Sequence, residues 1–595
     1  MTRGRQDALF LLAVAVMSAI GVALLWQSVR PPADAGVIAI HDGDPLPSAL
    51  RADADADATV DAESAIPGDP EPADESAARD TGVPRAVAQA RRLWRAGRIH
   101  EAVGLLRDAL ESGPGDPATK AELGTILLET GAAEEAADLL AEAVAEGQAD
   151  ARTWFNLGVA RSAAGDLEGA RRAYLEALAK KPHYVSAAYN LAMTSLASGN
   201  LERAEREFRR VTEMDRSASW AKAHFQLAFV LARLGRTEEA IASYRRAIAL
   251  KPDYAPAYNN LALLLEKSGD VDGAIRSLEK AARLDPGMAS AWLNLGRLRA
   301  ERGDHEGALE AYRRASEADP KLLKPRLRAA ELLEALGRLD EAREAFAEAA
   351  AIDTDNARIL VDLGSIERKL GDLDSAERHL SEAVRLDPSL ASAWNALGIV
   401  RAQRGLYEQA IAAYRRAIAL EPERVAARFN LALALEKSGR PRAALDRFEE
   451  VLSLEPKHVR AREHLVRLLA QRGEDAAALE QAEKLARLAP DDPSALFAAA
   501  YGFSKAGDPG RAVPLLQRVL ELEPANATAL LNLGVAYAKL GRYEDAVGSY
   551  LRYLERRPDD AKAMRYLARA YERLGNAEQA ALYRRRAEAL PRKGG

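Results

Sequence analysis

The side chains of this chain best placed to do chemistry are amides, aromatics and arginines, and the chemistry they suit is binding. Side-chain amides recur in one column, at Asn156, Asn190, Asn260 and Asn294, with Gln226 between them and Asn430 and Asn532 further on. An amide both donates and accepts a hydrogen bond, which fits it to holding another polar chain. The groups that usually carry catalysis are scattered. Of the eight histidines (His41, His100, His183, His224, His305, His379, His458 and His464) only the last two are near each other, and six residues apart is not same-face spacing. No HExxH, GxxxxGK[ST] or GxSxG pattern occurs. There is no cysteine, which excludes disulfides, thiolate zinc sites and thiol nucleophiles. Acidic residues are plentiful, but on helices they form solvated faces and i,i+4 pairs with arginine. The expectation is therefore no enzyme, no metal and no cofactor.

What must position those amides is a strict period. Fifteen glycines fall in one register: Gly97, Gly131, Gly165, Gly199, Gly235, Gly269, Gly303, Gly337, Gly371, Gly405, Gly439, Gly473, Gly507, Gly541 and Gly575. Every step is 34 residues except one of 36 after Gly199, and each glycine is followed five residues later by an alanine, from Ala102 through Ala308 to Ala580. A period of this length marks a helical-hairpin solenoid. Apolar residues recur at helical spacing on both sides of each glycine, so each unit reads as two amphipathic helices. Glycine permits the left-handed turn between them, and proline (Pro182, Pro286, Pro422 and others) ends the second. The alanine belongs where the two helices cross, since a larger side chain would force them apart.

These units resemble the tetratricopeptide repeat. Trp154, Tyr258, Trp292 and Trp394 match the family's first aromatic position, and Leu157-Gly158, Leu295-Gly296, Leu397-Gly398 and Leu533-Gly534 its Leu-Gly pair. Tyr174, Phe208, Tyr244, Tyr312, Phe346, Tyr414, Phe448 and Tyr550 match its later aromatic. The resemblance covers about 85% of the chain. It implies an all-α, right-handed superhelical solenoid of about 15 helix-turn-helix units, with a concave groove lined by the first helix of each.

In that family the fifth and ninth positions of the first helix face the groove. Here they read Phe155 and Val159, Tyr189 and Met193, then Phe225 and Phe229, an apolar strip suited to extended peptides or partner helices. Near the other end Arg565 and Arg569, with Lys562 and Arg573, form a basic patch suited to an acidic peptide or anionic polymer. The asparagine column is similar to the ladder by which O-linked N-acetylglucosamine transferases hold a peptide backbone, although their catalytic half has no counterpart here. The carboxylate clamp of some relatives needs lysine then asparagine at the fifth and ninth positions, and no unit has that pair.

Outside the repeats, residues 8–26 carry no charge and at about 1.5 Å per residue are long enough to cross a bilayer. Arg3 and Arg5 precede them, so the reading is a single-pass inner (cytoplasmic) membrane anchor with the array outside the cytoplasm, in the periplasm. Residues 31–83 hold thirteen acidic and two basic residues, and read as an acidic disordered linker. The chain thus divides into an anchor (1–30), the linker (31–83), the array (84–590) and a tail (591–595). The two-residue insertion near Ser217 separates four units (84–216) from eleven (217–590), and is a candidate hinge. The function expected is a membrane-tethered scaffold that holds protein or peptide partners while an envelope complex assembles. The alternative is a substrate-recognition subunit for a separate glycosyltransferase or polysaccharide export machine. No nucleic-acid partner is indicated, because the array is almost neutral overall.

Overall fold

The glycine column sets the fold. All fifteen have φ between 72° and 89°, a conformation that costs other L-residues energy. A Cβ at any of them would meet nothing within 4 Å, so glycine supplies conformation there and not space. The computed structural model describes residues 84–590, apart from 113–115, 148 and 215–220. Among the described residues there are thirty α-helices and no strand. They form fifteen antiparallel pairs, each turning at one column glycine.

The described residues fall into two compact units, one within Ala49–Thr354 and one within Asp355–Gly595. The first holds sixteen helices, from Arg85–Arg95 to Leu339–Ile352, and the second fourteen, from Ala357–Leu370 to Ala577–Ala589.

Local chemistry explains where each helix starts and stops. Asp166, Asp270 and Asp304, next to their column glycines, accept from the backbone N–H of Gly169, Gly273 and Gly307 at 2.8, 2.8 and 3.0 Å. Such N-caps contribute about 1 kcal/mol each. At the other end Lys181, Asp285 and Glu421, each before a proline, are extended, with φ near −130° and ψ near 90°. A following proline forces that conformation and stops the helix.

The core runs along the line where the two helices of a pair meet. The alanines from Ala102 to Ala546 are fully buried, and Ala580 is nearly so. A second set of glycines has a different purpose. A Cβ on Gly158, Gly296, Gly398 or Gly534 would lie 2.4 to 2.6 Å from the ring of Tyr174, Tyr312, Tyr414 or Tyr550 respectively. The Leu-Gly pair therefore makes room for the later aromatic, a side chain sixteen residues on.

Successive first helices touch one another directly. Arg85–Arg95 does so with Pro117–Glu129, Ala221–Arg233 with Ala255–Lys267, and Val459–Arg472 with Pro493–Lys505. Successive second helices make no comparable contact. Within each unit the stack thus curves with first helices on the inside and second helices on the outside.

One expectation is corrected. No helix among the described residues is long and apolar enough to cross a membrane. The longest have 14 residues, about 21 Å, against a hydrocarbon core of about 30 Å. The inner-membrane, single-pass localisation is therefore not retained. Residues 8–26, on which it rested, lie outside the described residues, as do the acidic stretch 31–83, the insertion near Ser217 and the tail 591–595. The helices flanking the insertion, Leu201–Met214 and Ala221–Arg233, pack on each other within one unit.

Candidate partner-binding face

The fifth-position aromatics do not line a groove. Phe155, Tyr189 and Phe225 are at most 1% exposed. Phe155 lies 5.9 Å from Tyr174 of its own repeat and 5.0 Å from Tyr184, which starts the next. Phe225 repeats this with Tyr244 at 5.5 Å and Tyr254 at 5.1 Å. Tyr189 meets Phe208 edge-on at 5.7 Å. In the second unit Phe429 stacks on His458 at 4.8 Å in the same arrangement. These rings tie one repeat to the next, with Lys181 and Lys251 capping Tyr184 and Tyr254 from outside at 5.0 and 4.9 Å. The reading of Phe155, Tyr189 and Phe225 as partner contacts is corrected: their burial leaves no surface to offer.

The ninth position behaves otherwise. Val159, Met193 and Phe229 rest on the core of the first unit but remain partly exposed. Leu263, one repeat further, is also half-buried. Four consecutive first helices thus present one apolar side chain each on the inner face. The strip ends at Arg297, whose guanidinium donates to both carboxylate oxygens of Glu266 in the preceding repeat, at 2.7 and 2.6 Å. Sequence reasoning missed Leu263, although its place in the 34-residue register, after Phe229, identifies it.

The amide column is turned inward. Asn156, Asn190, Asn260 and Asn294 are 3 to 8% exposed. Asn156 Nδ2 donates to Thr125 Oγ1 of the previous repeat at 2.9 Å. Asn260 Nδ2 donates to Tyr244 Oη at 3.4 Å, and Asn294 Nδ2 to Asn259 Oδ1 at 3.4 Å. Asn430 donates to Asn395 in the second unit at 3.3 Å. Burial pushes the phenols of Tyr174 and Tyr244 up, so they stay neutral and serve Asn190 and Asn260 as hydrogen-bond partners. The amides therefore join repeats, and their side chains are not open to a bound peptide. Asn259 and Asn395 were not anticipated. The signal was a spacing of 35, one more than the repeat, separating each from the asparagine that donates to it.

Of the basic patch, Lys562, Arg565, Arg569 and Arg573 are all exposed on the helix Ala561–Arg573. Lys562 Nζ lies 5.9 Å from the Tyr566 ring and Arg573 6.0 Å from that of Tyr543. The first three occupy steps of three and four, which places them on one face. Among the described residues no group of His, Asp or Glu could hold a metal ion.

Models of the tetratricopeptide repeat match residues 93–157 and 162–227, 230–269, 253–321, and 497–561 with 537–593. Residues 288–500 match a model described as the C-terminal domain of cilia and flagella-associated protein 70. No curated protein matches the chain. Among solved structures, MamA is 27% identical over 28% of this chain and 92% of its own, with a TM-score of 0.27. The APC/C hetero-tetramer Cut9-Hcn1 is 16% identical over 76% of this chain and 95% of its own, with a TM-score of 0.32. YrrB, described as a TPR protein with an unusual peptide-binding site, is 21% identical over 37% and 97%, with a TM-score of 0.26. By these matches together with its column glycines, buried alanines and paired helices, the chain is an array of tetratricopeptide repeats.

Proposed function

We propose that the protein is a scaffold that binds protein partners, and that the inner face of its first unit takes an apolar partner segment along Val159, Met193, Phe229 and Leu263. The observation that carries this reading is the repetition. Four successive first helices offer a half-exposed apolar side chain at one register, where solvated helices would offer polar ones. Phe and Met are effective anchors, one through area and the other through adaptable shape. Because the amides beneath are already engaged, the partner is gripped mainly through side chains, which favours an amphipathic helix over an extended backbone. Hydrogen exchange on the full chain, with and without a peptide selected on it from a displayed library, tests the reading. Protection should appear on first helices between Ala151 and Lys267; protection confined to second helices would contradict it.

A further inference from the structure

Charge is divided unevenly between the first and second helices of the second unit. Its seven first helices hold sixteen Lys or Arg and five Asp or Glu, whereas its seven second helices hold fifteen and sixteen. The first helices, which line the inner face, are therefore net positive and the second helices close to neutral, a division hidden by the near-neutral array as a whole. The excess is least compensated in the last three first helices, Pro493–Lys505, Ala527–Lys539 and Ala561–Arg573, which carry six basic residues and one acidic residue. Lys505, Lys539, Lys562, Arg565, Arg569 and Arg573 are all exposed. By contrast Arg467, on the first helix Val459–Arg472, is held by Glu436 at 2.8 Å. No acid among the described residues lies within ion-pairing distance of Lys505, Lys539, Arg565 or Arg569. Lys539 Nζ instead donates to the Ser504 carbonyl at 2.8 Å, and Lys505 sits 5.8 Å from the Tyr501 ring.

Such a row of unpaired cations, interleaved with half-exposed Phe497, Tyr501 and Tyr566, suits a polyanionic chain with scattered apolar residues. The protein carries one. Residues 31–83 hold thirteen Asp or Glu against two Arg, and include Val37, Ile38, Ile40, Val60 and Ile66. We infer that the basic inner face of the last three repeats receives the chain's own acidic stretch, residues 31–83, which then competes with any acidic partner for that face. The inference shares with the proposed function the idea that inner faces bind peptides, but uses another unit and another chemistry.

The test is photo-cross-linking in the full chain, with benzoylphenylalanine replacing Tyr501. Irradiation should join position 501 to peptides from 31–83. Two variants should each reduce that product about tenfold: K562E/R565E/R569E, and a chain whose thirteen acids in 31–83 are changed to Asn or Gln. The second leaves the array untouched, so its effect cannot come from misfolding. Raising ionic strength to about 1 M should act in the same direction, because a Debye length of about 3 Å screens exposed charges. Absence of cross-links to 31–83, cross-links only to co-purifying nucleic acid, or a yield unchanged by both variants would overturn the inference. None of those results bears on Val159, Met193, Phe229 and Leu263, so the proposed function stands or falls separately.

Discussion

Phe225 and Tyr254 belong to successive repeats, yet their rings lie 5.1 Å apart, both almost completely buried. The pair joins the first helix of one repeat to the loop that opens the next. Phe155 with Tyr184, and Phe429 with His458, make the same junction at 5.0 and 4.8 Å. In a stack where each repeat touches only its neighbours, stability is set by such nearest-neighbour interfaces.

Phe225→Ala should therefore weaken one junction by about 3–5 kcal/mol, through lost burial and the cavity left behind. Hydrogen exchange should show faster exchange in Ala221–Arg233 and Ala255–Lys267 than in the second unit. Uniform loss across both units, or none, would contradict the junction role.

Two glycines seven residues apart should respond differently. Gly296→Ala places a Cβ 2.6 Å from the Tyr312 ring and should cost about 1–3 kcal/mol by overpacking. Adding Tyr312→Leu should recover most of it, since Ala262 and Leu278 already occupy the equivalent positions in the preceding repeat. Gly303→Ala, at φ 79° in open space, should cost about 1 kcal/mol, and no neighbouring substitution should restore it. Urea melts of the single and double variants separate the two causes.

Ala308 is fully buried where its two helices cross. Ala308→Leu should destabilise that repeat by about 1–3 kcal/mol. Retention of the wild-type urea midpoint would contradict the assignment.

Glu463, on the first helix Val459–Arg472, has its carboxyl pushed up from 4.5 to about 7. Burial is the main cause and the charge of Asp492 adds to it, while Arg460, Arg467 and a hydrogen bond with Ser494 oppose it. The folded form then binds the proton more tightly than the unfolded one. Its contribution is complete below pH of about 4.5 and is lost as pH rises through about 7. Glu463→Gln should flatten the fall in stability between about pH 4.5 and 7, by roughly 1–2 kcal/mol. Equal pH dependence in both proteins would show that the carboxyl is already ionised when folded.

The fold was legible because the 34-residue register fixes every turn. Gly97 to Gly575 and Ala102 to Ala580 stand where the period puts them, since a left-handed turn admits glycine and a helix crossing admits alanine. The inner face was only half legible. The register puts Met193 and Phe229 in one column, but it cannot say whether a side chain at the fifth position points out or folds back. Phe155 and Phe225 fold back because Tyr184 and Tyr254, each 29 residues further on, offer rings to stack on. The asparagines looked like a ladder for a foreign backbone. They turned out to grip Thr125, Tyr244 and Asn259, because a buried amide takes the nearest polar partner.

The central claim, that Val159, Met193, Phe229 and Leu263 form the binding face of the first unit, is tested most directly by one affinity ratio. Fluorescence anisotropy should measure a library-selected peptide binding to the full chain and to its Met193→Ser/Phe229→Ser variant. Both side chains are partly exposed and rest on the core without being enclosed by it, so the variant should keep its fold with a lowered urea midpoint. Loss of two apolar contacts of about 1–2 kcal/mol each predicts a Kd weakened by about 30-fold or more. An unchanged Kd in a folded variant would contradict the account.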